Sequence, residues 1–181
     1  QILKDVYSLN ILVLTLYLTC PMINILKKKF PEPELKEMLD NILQQAMLMN
    51  GTRAATLQIL NKTDHSLEIA AASGLSDEFI EHFKKVTIND GSVCSRALQA
   101  GETVFIGDIT QDKLFARHLY LAMSNHINAI LSTPLICSKG HLVGMVSTHF
   151  RITRKPTKDS LENFENFCRN TADKIHEFIS N

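Results

Sequence analysis

The sequence predicts an α+β domain: an antiparallel sheet organised around one hairpin, with helices from both ends of the chain laid over it. Three observations predict this. Residues 127–150 form two apolar runs, 127–137 and 141–150, on either side of Ser138-Lys139-Gly140, and short apolar runs around a Gly-bearing turn read as a hairpin. Near the N-terminal side, Leu35, Met38, Leu39, Ile42, Ala46 and Met49 recur at spacings of three and four, the stripe of an amphipathic helix. Near the C-terminus, Leu161, Phe164, Cys168, Thr171, Ile175 and Phe178 make a second, heptad-like stripe.

Each element follows in order. Residues 1–29 differ from the rest: residues 9–26 carry no charge and precede Lys27-Lys28-Lys29, but include Pro21 and several polar residues. Three readings stand side by side: the tail of a membrane span with its lysines on the cytoplasmic side, a hydrophobic helix that pairs with another subunit, or a segment foreign to the domain. Phe30-Pro31-Glu32-Pro33 is a breaker and marks the domain boundary, giving a segment 1–30 and a domain 31–181. A helix runs from Glu34 to the Asn50-Gly51 stop. Residues 54–60 and 67–73 are strands joined by a polar turn. Ser76 caps a short helix reaching about Lys84. Residues 86–88 are a brief strand before the Asn89-Asp90-Gly91 turn. Residues 92–100 are a helix closed by Gly101, and residues 104–106 are a strand. Asp108 and Asp112 fit Asx turns, and a further helix lies near residues 117–125. After the hairpin and a loop with Pro156, Thr157 or Asp159 caps the last helix.

Bulk composition bounds the function. The chain has 181 residues, 45% of them hydrophobic and 21% charged, enough for a core without metal or disulfides. Lys plus Arg and Asp plus Glu are each 19, so no basic surface for nucleic acid is expected. Cys20, Cys94, Cys137 and Cys168 have no CxxC spacing, which points to free thiols in a reducing compartment. No His/Cys/Asp spacing marks a metal site, and neither a GxSxG nor a P-loop motif is present. His65, His82, His126, His141 and His176 fall on separate segments and read as surface residues.

The local sequences Asp90-Gly91-Ser92-Val93-Cys94-Ser95-Arg96-Ala97-Leu98, Gly101-Glu102-Thr103-Val104, Asp108-Ile109, Asp112 with Phe115, Ser132-Thr133-Pro134-Leu135, and Leu142-Val143-Gly144-Met145-Val146-Ser147-Thr148-His149-Phe150 occur in an order that resembles the GAF family of small-molecule sensor domains. The resemblance spans about residues 34–179. It implies an antiparallel sheet of about six strands, terminal helices on one face, and a loop-and-helix lid over a pocket on the other. It is similar to modules found beside histidine kinase and cyclase domains in microbial sensors, so a kinase or cyclase output domain is an expected partner. The fold alone does not fix the ligand or the chemistry.

The residues expected to contact a ligand are Cys94, Ser95, Phe115, His118, Leu119, Ser132, Met145, Ser147 and His149. Cys94, in the first turn of its helix, is the best candidate for a reactive thiol. It matches a position carrying cysteine in GAF-type free methionine sulfoxide reductases, but the lid cysteines of those enzymes have no counterpart in residues 115–125. His118 and His149 match places where histidines touch the chromophore in bilin-binding relatives, whose other contact motifs are missing. The expected function is therefore a non-catalytic sensor that couples an unidentified small molecule to the terminal helices. The alternatives are a thiol redox protein using Cys94 and a tetrapyrrole binder. No cofactor is assigned. The terminal stripes predict a homodimer, and the expected location is the cytoplasm, with the N-terminal segment a candidate tether.

Overall fold

The computed structural model describes residues 32–180, so the three readings of residues 1–30 lie outside the described residues. Among the described residues, no helix is long and apolar enough to cross a membrane.

Six strands form one sheet in the order β3-β2-β1-β6-β5-β4. They are β1 (Ala54–Leu60), β2 (Leu67–Ser73), β3 (Lys85–Val86), β4 (Val104–Ile106), β5 (Ala129–Ile136) and β6 (Leu142–Phe150). Every neighbouring pair is antiparallel. The β5–β6 hairpin places β6 at the centre, paired on its other side with β1. Gly144 is required there: a Cβ at this position would sit 2.2 Å from the backbone oxygen of Gln58 on β1.

Strand alternation sends successive side chains to opposite faces, and two cores result. On one face lie α1 (Glu32–Asn50) and α5 (Lys158–Ser180). Leu39, Leu43 and Ala46 of α1 and Phe164, Cys168, Ala172 and Ile175 of α5 pack with Ala55, Leu57, Leu131 and Val146 of the sheet. Apart from Met49, which is exposed, both predicted stripes thus pack within the chain. At about 1.5–3 kcal/mol for each large apolar side chain buried, this contact holds the terminal helices to the sheet. The helix α1 begins at Glu32, so Pro33 falls in its first turn, where a missing N–H costs nothing.

The opposite face is covered by α2 (Asp77–His82), α3 (Val93–Ala100), two 3-10 turns (Ile109–Gln111 and Lys113–His118) and α4 (Leu119–Ser124). Ser76 caps α2 by accepting from the Phe79 N–H, and Ser92 caps α3 by accepting from the Ser95 N–H. Gly101 ends α3 at φ +67. The helix expected near residues 117–125 is α4, and a 3-10 turn precedes it. The reason is Asp112: its Oδ1 accepts from the N–H groups of both Leu114 and Phe115, which starts the turn four residues earlier. The strand expected at residues 86–88 is shorter and lies at Lys85–Val86.

Candidate functional site

The candidate site lies between the lid and the sheet. The lid-facing residues of the central strands are Thr56 and Gln58 on β1, Ile130 and Ser132 on β5, and Ser147 and His149 on β6. With Ser92, Val93 and Cys94 of the α3 start, Phe79 and Phe83 beside α2, and Phe115 of the lid, they line one cavity. Its volume is about 20 Å³, room for a single water-sized molecule. Phe115, 1% exposed, packs into the core beneath the lid and lines the cavity.

Of the residues expected from the sequence, Cys94, Phe115, Ser132, Ser147 and His149 come together on this wall. Ser95, His118, Leu119 and Met145 are not among the lining residues. Ser95 is buried, and its N–H is taken by the Ser92 cap. Met145 is fully buried and Leu119 partly buried in the core beneath the lid. The sequence reading missed Thr56, Gln58, Phe79, Phe83, Ser92, Val93 and Ile130. Thr56 and Gln58 do carry a signal, polar residues two apart in a strand, but that pattern ordinarily marks a solvent face.

His118 is held by hydrogen bonds rather than facing the cavity. Its Nε2 lies 2.8 Å from the carbonyl oxygen of Asp90, and its Nδ1 lies 2.9 Å from Nε2 of His82. A carbonyl only accepts, so His118 carries its proton on Nε2, and Nδ1 accepts from His82. Burial pushes the His118 pKa below its ordinary value, with the Asp90 carbonyl opposing. His82 therefore does more than sit on the surface: it ties α2 to the lid. A second tie is the ion pair between Arg96 on α3 and Asp112, at 2.8 Å. Burial raises the Asp112 carboxyl, but the Arg96 guanidinium and the two backbone donors outweigh it and leave the pKa below the usual carboxylate value.

The polar groups inside are of two kinds. Ser132 Oγ and Ser147 Oγ satisfy each other at 2.7 Å. Gln58 Oε1 and both ring nitrogens of His149 are buried without a hydrogen-bond partner. Burial pushes the His149 pKa down to about 3, so the imidazole is neutral, with one nitrogen a donor and the other an acceptor. Its ring meets Phe79 edge-on at 5.4 Å. Cys94 touches Ser92 Oγ at 3.2 Å. Burial pushes its thiol up to about 11, against the Ser92 hydrogen bond. Cys137 and Cys168 belong to the core on the other sheet face, so neither stands by to trade a disulfide with Cys94.

A second, larger cleft of about 370 Å³ adjoins the end of the sheet, lined by Arg53, Asn125, His126, Arg151 and Arg154 among others, and bordered by His149. Arg154 donates to the carbonyl of Asn50 and lies over the Phe150 ring.

Residues 32–176 match the sequence family of the GAF domain. The chain belongs to the GAF domain family. Solved GAF-fold structures agree. One is a domain of a protein described as a two-component sensor histidine kinase from Sinorhizobium meliloti, with 14% identity, TM-score 0.65, and 78% of this chain and 90% of that chain covered. Another is a type II free methionine-R-sulfoxide reductase from Thermoplasma acidophilum, with 17% identity, TM-score 0.60, and 80% and 96% covered. A third is the PixJ GAF domain of Thermosynechococcus elongatus in its blue-light-absorbing form, with 12% identity, TM-score 0.57, and 80% and 88% covered. At these identities the likeness is one of fold. No curated protein sequence matches the chain.

Proposed function

We propose that this GAF domain is a non-catalytic sensory module that binds a small polar molecule beneath the lid and passes the event to its terminal helices. The observation that carries this reading is the set of unpartnered polar atoms on the cavity wall: Gln58 Oε1 and both nitrogens of His149. Leaving such a group buried and unpaired costs about 1–3 kcal/mol. A ligand that donates to Gln58, and both donates to and accepts from His149, removes that cost. Because His149 is neutral, an amide, amine or hydroxyl suits the inner end better than a bare carboxylate.

The cavity holds one water-sized molecule, so a larger ligand requires the lid to move outward. The elements that must give way are Phe115 and the ties His82–His118 and Arg96–Asp112. A ligand signals only if it binds the opened and closed lids unequally, and expulsion of Phe115 from the cavity would make it do so. The thiol-enzyme alternative is less well supported. Cys94 is buried, its pKa is raised, and the other described cysteines lie across the sheet.

An output kinase or cyclase domain, a cytoplasmic setting and a homodimer belong to the same proposal. The dimer contact must draw on apolar residues that the sheet leaves exposed. Leu48 and Met49 of α1, 79% and 47% exposed, are the apolar candidates.

The test is a thermal-shift screen of the purified chain against small amines, amides, polyols, amino acids and nucleotides, repeated with His149→Leu and Gln58→Leu. The expected result is a hit that stabilises the wild type and loses its effect in both variants. A panel without a hit, or a hit indifferent to both substitutions, would overturn the proposal.

A further inference from the structure

On the sheet face away from the lid, the tip of the β5–β6 hairpin meets the C-terminal half of α5. The turn is closed by the Cys137 N–H donating to the His141 carbonyl at 3.0 Å, and by the Gly140 N–H donating to the Cys137 carbonyl at 2.8 Å. It is tied to α5 by Asp173 Oδ1, which accepts from both the N–H and the Oγ of Ser138 at 2.7 and 2.8 Å. One helical turn beyond Asp173 stands His176. Its ring lies 4.9 Å from that of His141, centroid to centroid. The Cys137 thiol completes a set whose ligand atoms all lie within 4.8 Å of one another.

We propose that Cys137, His141 and His176 form a binding site for a zinc-class divalent cation, which clasps the hairpin tip to the C-terminal helix. The donor set, one thiolate and two imidazoles, suits zinc and not magnesium or calcium, which take oxygen ligands. In a tetrahedral site with Zn–S of about 2.3 Å and Zn–N of about 2.0–2.1 Å, ligand atoms stand about 3.3–3.6 Å apart. The present separations, within 4.8 Å, therefore need to close by about 1.5 Å at most. Rotation of the exposed His141 side chain can provide that movement. On binding, the Cys137 S–H bond breaks, the sulfur keeps the electron pair as a thiolate bound to the metal, and the proton leaves to solvent. Three protein ligands leave the fourth position to water. Lys139 and Lys62 lie within Coulomb range of His176 and oppose a cation, while Asp173 favours one; the thiolate supplies the further negative charge. The consequence is control of the C-terminal helix from a site separate from the lid cavity.

The test uses Co²⁺ as a spectroscopic probe on the metal-free chain, followed by displacement with Zn²⁺. The expected results are one equivalent bound, visible bands of tetrahedral cobalt with a thiolate charge-transfer band, and a zinc-dependent rise in melting temperature. His141→Ala and His176→Ala should each weaken binding by at least about 10-fold to 100-fold, since loss of a ligand costs at least as much as loss of its outer-shell partner. Both should abolish the melting shift. Cys137→Ser should remove the charge-transfer band. Cys137 is buried and that variant can fail to fold, but the two histidine variants alone decide the matter. An octahedral spectrum, or tetrahedral binding that survives both histidine substitutions, would overturn the proposal. His149→Leu must leave metal affinity unchanged, so failure here and failure of the ligand reading are separate results.

Discussion

His149→Leu should flatten the acid side of the stability profile. The folded His149 has a pKa of about 3, set by burial, against an ordinary value of 6.5. The folded value is the lower one. The unfolded chain therefore takes up a proton that the folded site refuses, and stability falls as pH drops from about 6.5 toward 3. The slope approaches about 1.4 kcal/mol per pH unit. Integrated between pH 7 and pH 5, His149 alone removes about 2 kcal/mol. His118, also lowered by burial, acts in the same direction, but it is common to both proteins and cancels in the comparison. At pH 7 the variant loses the edge contact with Phe79 but sheds two unpaired buried nitrogens, each costing about 1–3 kcal/mol. It should therefore be as stable as the wild type or more so. Urea unfolding followed by circular dichroism at pH 5, 6, 7 and 8 measures both quantities. Parallel profiles for the two proteins would refute the neutral, unpartnered state of His149.

Three other predictions concern the lid and the sheet. Asp112→Ala removes the partner of Arg96 and two backbone caps, and should lower stability by about 2–4 kcal/mol; urea unfolding checks the magnitude, and faster amide exchange over residues 113–118 checks the location. Cys94 should resist iodoacetamide at pH 7.5 in the folded protein and react only after unfolding, because its thiol is buried with a pKa of about 11; peptide mapping by mass spectrometry distinguishes it from Cys137 and Cys168. Gly144→Ala places a methyl 2.2 Å from the Gln58 carbonyl oxygen and should separate β1 from β6, with a loss of more than about 4 kcal/mol or no soluble protein; expression followed by thermal melting gives the answer.

The fold was legible where its signals are local. The hairpin turn, the caps Ser76 and Ser92, the Gly101 stop and the two terminal stripes are each written within a few residues, and the structure keeps them. The helix expected near residues 117–125 is present at Leu119–Ser124, but the 3-10 turn before it was not legible, because Asp112 acts at a distance of up to three residues. The candidate site was legible where the family resemblance places a polar residue or thiol at the pocket, as for Cys94, Ser132 and His149. Thr56 and Gln58 depend on register: Thr56 stands opposite Ser147, and Gln58 opposite Met145, across a pairing that spans about half the chain. The His82–His118 contact joins residues 36 apart, and His176 meets Cys137 and His141 only after α5 folds back on the sheet. Spacing along the chain carries no trace of either meeting. The stripes predicted helices correctly, and most of their apolar residues pack against this sheet.

The most direct measurement of the account is a long-range proton–nitrogen spectrum of the His149 imidazole in ¹⁵N-labelled protein, titrated with a compound found by thermal shift. Binding should move at least one ring nitrogen toward a hydrogen-bonded value and change the amide signals of residues 113–118 along the same titration curve. A compound that stabilises the chain with the His149 ring unmoved, or with equal affinity for His149→Leu, would contradict the claim that a polar ligand sits beneath the lid.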